Sequence, residues 1–191
     1  RPPAAGPVSR PRALQAAALH TAAISAHTWI TEGSEFAAEF AEFHDLSTAL
    51  EYDHDDYYPR AEPVIDYTID WLDRHLDQDF FLYLHLMDMH SPYELNAEAR
   101  SFFAHRDYDA TATFTPQGRP KSVARALDGR DREYLDALYD GSLRYADRHL
   151  GRLFDHLAAA ARLATMVIAV TADHGEQLLE QPERLGHGGP W

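Results

Sequence analysis

The sequence has no cysteine, which excludes disulfide bonds, thiolate metal sites and cysteine nucleophiles within its 191 residues. Long apolar runs are also missing, because Phe80–Leu84 and Met166–Val170 are far shorter than the roughly 20 residues of a transmembrane helix. These absences predict a soluble protein without a membrane span. Together with the lack of a visible targeting segment, they favour the cytoplasm.

Basic residues are scarce. Only 17 of them, with Lys121 as the single lysine, stand against 31 acidic residues, and the net charge is -14. Nucleic acid is therefore not an expected partner, because binding to phosphates requires a basic surface. We attribute the acidity to the organism, either to high salt in a halophilic habitat or to a GC-rich genome, and not to a catalytic mechanism.

The opening residues are rich in proline and arginine and contain neither an initiating Met nor the apolar region of a signal peptide. We therefore expect the sequence to be an internal portion of a longer chain. Residues 1–12 are assigned to a loop or linker, because closely spaced prolines disfavour both helix and strand. Residues 13–191 are assigned to one partial domain.

Two long helices are predicted from apolar periodicity, one over residues 61–75 and one from Gly129 to the alanine tract at 158–161. Each leads into an apolar run that is typical of a buried parallel strand, Phe80–Leu86 and Met166–Thr171. Weaker patterns predict short helices at 14–19, 34–43 and 96–104, a strand at 21–25, and irregular structure at 105–128.

A helix followed by a buried strand is half of an α/β repeat, and the sequence contains two such units. They predict an α/β fold in which a mostly parallel sheet is sandwiched by helices. Such folds bind ligands beyond the carboxyl ends of their strands. The residues that follow Leu86 and Thr171 are therefore the first candidates for a functional site.

Asp173 and His174 follow the second predicted strand. A carboxylate and an imidazole at a strand-to-loop turn can both face one metal ion, because side chains there no longer alternate strictly between the faces of a sheet. Gly175 allows the backbone to leave the strand steeply. The same residues also describe an ordinary turn in which Asp173 caps the next segment.

Two histidines lie in predicted loops. His90 comes shortly after Leu86, in a loop that Pro92 restricts, and its imidazole could bind an anion or transfer a proton near neutral pH. His187 is flanked by glycines, which allow close approach to a ligand. Each histidine also fits a loop or turn without a chemical task.

Several motifs occur in a specific order: Thr21–Leu46, the strand and loop at 80–93, Tyr145-Ala146-Asp147 with Gly151, Val-Thr-Ala-Asp-His-Gly-Glu at 170–176, and Gly-His-Gly at 186–188. In this order and spacing they resemble the sulfatase family of the alkaline phosphatase superfamily. The resemblance covers most of the chain from about residue 13. It implies an alkaline-phosphatase-like fold, with residues 13–191 as the central portion of the catalytic domain.

The resemblance also implies roles for individual residues. Asp173 and His174 match the family's late pair of metal ligands, and the implied cofactor is usually Ca²⁺, sometimes Mg²⁺ or Mn²⁺. Because Ca²⁺ prefers oxygen ligands, His174 leaves the identity of the metal open. His90 matches the histidine that binds the sulfuryl oxygens or assists the leaving group. His187 stands where many sulfatases have a lysine that contacts the same oxygens.

The family's nucleophile motif is Cys/Ser-x-Pro-x-Arg, whose first residue matures to formylglycine. The segment Ser9-Arg10-Pro11-Arg12 has Ala13 where the final Arg is expected, and the family's early Asp-Asp metal pair is also absent. Both elements precede the equivalent of Thr21 in the family. We therefore expect the formylglycine upstream of this sequence, and expect residues 1–191 alone to be inactive.

The implied function is hydrolysis of a small-molecule or carbohydrate sulfate ester by a metal-dependent sulfatase. The first alternative is a phosphodiesterase, phosphonate hydrolase or phosphoglycerol transferase of the same superfamily, because these enzymes share the Asp-His-Gly motif. The second is a non-catalytic remnant that serves as a binding or structural module. The sequence carries no signal for an oligomeric state.

Overall fold

The computed structural model describes residues 9–49, 58–91, 93, 101, 108–110, 127–178 and 185–186. The chain forms two compact units, the first from residues 1–87 with 149–164 and the second from residues 88–148 with 165–191. Among the described residues, no helix has the length and apolar character needed to cross a membrane.

A three-stranded parallel sheet forms the centre of the first unit. Its strands are β1 (His20–Ser25), β2 (Glu42–Asp45) and β3 (Phe80–His85), in the order β2-β1-β3. The central strand β1 is fully buried from Thr21 to Ser25. The mostly parallel sheet that the sequence predicts is thus present, with the predicted strand at 21–25 in its middle.

The helices are α1 (Arg10–Ala16), α2 (Leu46–Ala49), α3 (Ala61–Asp73) and α4 (Gly129–Ala159), with 3-10 turns at Ala37–Glu39 and Leu163–Thr165. Helix α3 buries one face, formed by Ala61, Val64, Ile65, Thr68, Trp71 and Leu72. This spacing of three and four residues is that of a helix packed on a core. Both long helices lie where the periodicity predicts them.

Helix α4 begins at a reciprocal cap. The Asp128 carboxylate accepts hydrogen bonds from the backbone N–H groups of Arg130 (2.9 Å) and Asp131 (3.2 Å). In return, the Asp131 carboxylate accepts from the backbone N–H of Asp128 (2.7 Å). These bonds satisfy donors that the first turn of a helix otherwise leaves unpaired.

Helices α1 and α4 both end with an alanine in the left-handed backbone region, Ala18 at φ 66° and Ala161 at φ 55°. After α4, the N–H of Arg162 donates to the carbonyl of Leu157 (2.9 Å) and that of Ala161 to the carbonyl of Ala158 (3.0 Å). This is the Schellman arrangement, in which glycine is the usual residue. An alanine there costs about 1 to 2 kcal/mol of backbone strain.

The second unit has its own apolar cluster. Tyr93 packs there with residues of α4 and with Leu178, and the buried members are Tyr93, Tyr134, Leu135, Leu138 and Leu178. Leu178 belongs to a two-stranded antiparallel sheet of β4 (Gln177–Leu178) and β5 (Leu185–Gly186). The cluster therefore holds the segment after β3 and the segment after residue 176 in one core.

The strand predicted at 166–171 is wrong. These residues have no regular secondary structure, and the side chains of Val167 and Val170 are 98% and 76% exposed. A β-branched run fits a pleated, half-buried surface but forms a strand only beside a hydrogen-bonding neighbour. Among the described residues, no strand pairs with this segment.

Three other predictions differ in detail. The helix predicted at 34–43 is instead a 3-10 turn followed by β2, because pairing with β1 overrides the helical spacing of the phenylalanines. Helix α1 begins four residues earlier than predicted, inside the segment assigned to a linker. Strand β3 is half-buried because it has one neighbour in the described sheet. The segments 96–104 and 105–128 lie largely outside the described residues.

Candidate functional site

Three polar residues end the three strands of the first unit in one row. Ser25 of β1 is the register partner of Asp45 of β2 and of His85 of β3. Because the strands are parallel, their carboxyl ends meet at one edge, where α/β folds bind ligands. Ser25 and Asp45 are buried, and His85 is half-buried. This edge is the candidate site of the first unit.

Local hydrogen bonds orient the side chains at this edge. Asp45 Oδ1 accepts from the backbone N–H of Ser47 (3.0 Å) and from its hydroxyl (2.5 Å) at the start of α2. The backbone N–H of Trp29 donates to His27 Nδ1 (2.9 Å), so a neutral His27 carries its proton on Nε2. The rings of His27 and His85 lie 5.2 Å apart. The edge thus presents two neighbouring imidazoles.

Sequence reasoning did not assign a role to either of these histidines. Neither His85 nor His27 is among the candidate residues of the sequence analysis. The structure places His85 at the last position of β3 and His27 two residues beyond the end of β1. The available signal was position alone, because each histidine stands where a predicted buried strand ends.

His90 lies in the second unit, where the chain continues from β3. It is half-buried, and its Nδ1 donates a hydrogen bond to the carbonyl of Ser91. The loop is anchored because Tyr93 belongs to the apolar cluster and Asp88 is buried. The described residues place His90 in a loop, and its role there stays a prediction.

Asp173 and His174 form a pair in the second unit. Asp173 Oδ2 lies 3.5 Å from His174 Nε2, and Asp173 Oδ1 accepts from the backbone N–H of His174 (3.1 Å). His174 Nδ1 lies 2.9 Å from the carbonyl of Gly175 and donates to it, which leaves Nε2 as the nitrogen able to ligate a metal. The Asp173 side chain is 81% exposed. No helix begins at residues 174–178 that Asp173 could cap.

The donor set of this pair fits a metal ion, with one carboxylate oxygen and one imidazole nitrogen facing each other. Ca²⁺ takes six to eight oxygen ligands, so a mixed pair suits a transition metal such as Mn²⁺ better. Within the part of the chain that the structure describes, no third His, Asp or Glu joins the pair at ligand distance. His187 lies outside the described residues.

A different group has three candidate metal ligands. Across the described ranges, His20, Glu42 and His75 are the one set of three such side chains whose ligating atoms lie within 4.8 Å of one another. It lies at the amino end of the sheet, since His20 and Glu42 begin β1 and β2. Sequence patterns gave no hint of it, because its members are 22 and 33 residues apart.

Hydrogen bonds and charges act on Glu42. Burial raises the pKa of Glu42, but hydrogen bonds from Trp71 and His44 and the nearby His20 and His75 together outweigh burial and lower that pKa below its usual value. The carboxylate is therefore the stable form at neutral pH.

Comparison with known proteins identifies the family. Residues 2–191 match the family model described as Sulfatase. The chain belongs to the Sulfatase family. This confirms the resemblance that the motifs carry and places the chain in the alkaline phosphatase superfamily. A comparison with curated proteins gave no match.

Two solved structures are similar to the chain. One is the lipoteichoic acid synthase LtaP from Listeria monocytogenes, with 20% identity and a TM-score of 0.53 over 81% of this chain and 33% of that one. The other is the C-terminal periplasmic domain of EcEptC from Escherichia coli in complex with Zn, with 15% identity and a TM-score of 0.56 over 93% of this chain and 46% of that one. The chain thus spans a third to about half the length of these structures. The likeness confirms the alkaline-phosphatase-like α/β fold.

Proposed function

We propose that the protein is a metal-dependent hydrolase of sulfate esters and acts on a small-molecule or carbohydrate substrate. The observation that carries the proposal is the solvent-facing Asp173–His174 pair, with its oxygen and nitrogen 3.5 Å apart, in a member of the Sulfatase family. An exposed carboxylate and imidazole in mutual contact are available to a ligand.

In this proposal Asp173 and His174 hold a divalent cation, Ca²⁺, Mg²⁺ or Mn²⁺. When bound, such a cation stabilises negative charge on the oxygens of the sulfuryl group. The imidazole of His174 favours Mn²⁺ among the three. The nucleophile is a formylglycine that we place upstream of residue 1.

His90 is the proposed proton donor. Its Nδ1–H is held by the carbonyl of Ser91, so the proton on Nε2 is the one it can transfer to the leaving alcohol or share with a sulfuryl oxygen. Its half-buried position limits competition from bulk water. His187, between two glycines, is proposed as a second donor to the same oxygens.

The proposal is tested by turnover of 4-nitrophenyl sulfate by the whole protein. We expect His90→Ala and Asp173→Ala each to lower kcat at least about 100-fold without loss of folded structure, since each removes a group used in the transition state. His156→Ala is the matched control, because His156 pairs with Asp73 in the first unit and has no proposed role in turnover. Wild-type turnover by either site variant would contradict the proposal.

The second candidate is transfer or hydrolysis of a phosphate ester, as by a phosphodiesterase, phosphonate hydrolase or phosphoglycerol transferase. It is favoured by one observation, the structural likeness to a lipoteichoic acid synthase. Bis(4-nitrophenyl) phosphate has the same leaving group as 4-nitrophenyl sulfate. A comparison of kcat/KM for the two substrates therefore shows whether the enzyme prefers the sulfate ester or the phosphate ester. A higher value for the phosphate would replace the sulfatase proposal with this one.

A further inference from the structure

Three side chains from separate elements converge at the amino end of the sheet in the first unit. His20 is the first residue of β1, Glu42 is the first residue of β2, and His75 follows the end of α3. We infer that His20, Glu42 and His75 bind a first-row transition-metal dication such as Zn²⁺ through two imidazole nitrogens and one carboxylate oxygen.

The register of the sheet places the first two ligands on one face. Glu42 lies beside Ala22 in the parallel ladder, and His20 is two residues before Ala22 on the same strand. Side chains two residues apart on a strand share a face, so His20 and Glu42 project together. Trp71 of α3 reaches both side chains, since its ring stacks on His20 with centroids 6.1 Å apart and its Nε1–H donates to Glu42. The chain just beyond the end of α3 supplies His75.

The distances match those between ligands of one ion. Zn²⁺ binds nitrogen and oxygen at about 2.0 to 2.1 Å in a tetrahedron, which separates neighbouring ligand atoms by about 3.3 Å. Glu42 Oε1 lies 3.0 Å from His20 Nε2 and 3.8 Å from His75 Nε2. The three ligating atoms all lie within 4.8 Å of one another.

The two oxygens of Glu42 have separate surroundings. Oε2 accepts hydrogen bonds from Trp71 Nε1–H (2.9 Å) and from His44 Nε2 (3.2 Å). The Tyr67 hydroxyl lies 2.9 Å from His44 Nδ1, and this contact supports His44 as a donor to Glu42. Oε1 is the oxygen that faces the other two histidines. Ligating carboxylates are typically held by outer hydrogen bonds of this kind.

His75 also has the tautomer that a metal-binding histidine requires. Its Nδ1 lies 2.7 Å from the carbonyl of Trp71 and donates to it, so the lone pair of a neutral His75 is on Nε2, which points to Glu42. Metal-binding histidines commonly donate their other ring N–H to a backbone carbonyl. The Trp71 ring stacks on His75 with centroids 4.1 Å apart and fixes its orientation.

An ordinary ion pair explains these contacts less well than a bound metal ion does. His20 Nε2 is a buried atom that makes no hydrogen bond within the described residues, although it is 3.0 Å from Glu42 Oε1. The rings of His20 and His75 stack 5.3 Å apart, so both imidazoles lie beside the same carboxylate oxygen. A bound cation satisfies both nitrogens and the oxygen at once.

The chemistry of the donors selects the class of metal. Two imidazoles and one carboxylate suit Zn²⁺ and its first-row neighbours, whereas Ca²⁺ and Mg²⁺ require more oxygen ligands. The side chains are 25%, 34% and 15% exposed for His20, Glu42 and His75, so water can complete the coordination from the open side.

The test measures metal content and affinity, not turnover. The whole protein carrying Asp173→Ala, which removes the proposed site of the second unit, is stripped with a chelator and titrated with Zn²⁺ against a chromogenic chelator. We expect one tight equivalent of Zn²⁺, and we expect His75→Gln in the same background to abolish it. His156→Gln is the matched control, because its Nε2 also contacts a carboxylate at 2.8 Å but has one partner there.

A second variant tests the inference even if His75→Gln does not fold. Trp71→Phe removes one hydrogen bond from Glu42 Oε2 and keeps all three ligands, so we expect Zn²⁺ affinity to fall about 10- to 100-fold with an unchanged circular dichroism spectrum. Replacement of Zn²⁺ by Co²⁺ should give the visible absorption of a tetrahedral site. No tight equivalent in the Asp173→Ala protein, or equal binding by His75→Gln and His156→Gln, would overturn the inference.

Discussion

The hydrogen bond between Trp71 and Glu42 gives a prediction whose size follows from the structure. Trp71 is buried, with 1% of its surface exposed, and its Nε1–H donates to a carboxylate oxygen at 2.9 Å. Hydrogen bonds to charged groups contribute about 1.5 to 3 kcal/mol. Because the Glu42 side chain is 34% exposed, solvent screening places the expected value at the lower end, about 1.5 kcal/mol.

A double-mutant cycle of Trp71→Phe and Glu42→Met measures this interaction. The loss of indole packing cancels in the cycle, because it occurs with and without the carboxylate. The assay is urea unfolding of the whole protein, followed by circular dichroism in a chelating buffer so that metal binding does not contribute. We expect a coupling free energy of about 1.5 kcal/mol at pH 7.

The coupling should depend on pH in one direction. The pKa of folded Glu42 is lowered, so the stability it contributes is complete above the pKa of the unfolded state and is lost as pH falls through the folded pKa. Below that point Trp71 donates to a neutral carboxyl group, and the bond is about half as strong. A coupling near zero at pH 7, or one that grows as the pH falls below about 4, would refute this reasoning.

Other predictions use matched pairs of substitutions. Ala161→Gly relieves the strain of a positive φ and should stabilise the protein by up to about 1 kcal/mol, whereas Ala158→Gly inside α4 should cost about 1 kcal/mol; the same sign in urea unfolding would contradict this. Leu135→Ala should cost about 2 to 5 kcal/mol because Leu135 is fully buried, and the 47%-exposed Leu143 should tolerate alanine within about 0.5 kcal/mol. Val167→Lys should also change stability by less than about 0.5 kcal/mol, and a loss of several kcal/mol would instead show that this segment is buried in the whole protein.

The elements that the sequence predicted well are those whose own pattern is long and periodic. Helices α3 and α4 carry apolar stripes over many turns, β3 is an apolar run up to its final histidine, and β1 has an apolar centre of two alanines and an isoleucine. Strand β2 was missed because it has four residues, two of them charged, and it is a strand only through pairing with β1. The strand prediction for residues 166–171 failed for the opposite reason, since this segment has the composition of a strand but no pairing strand in the described structure.

The same distinction between local patterns and contacts made by the fold applies to the candidate sites. Asp173 and His174 are neighbours in sequence, so their contact could be foreseen, and the order of motifs identified the family. The group of His20, Glu42 and His75 depends on the register of two strands and on the end of a helix. No local pattern encodes such a juxtaposition, and only the folded backbone brings the three side chains together.

Strand β1 separates two chemically different ends of the sheet. His20 at its start and Ser25 at its end are five residues apart, or about 16 Å at the rise of a strand. Because the strand between the two ends is buried, salt screens charges there less than it screens charges at the surface. At an effective dielectric constant of about 20, two unit charges at this separation interact by about 1 kcal/mol. The two ends are therefore too far apart to share a ligand, but a change of charge at one end still acts on the other.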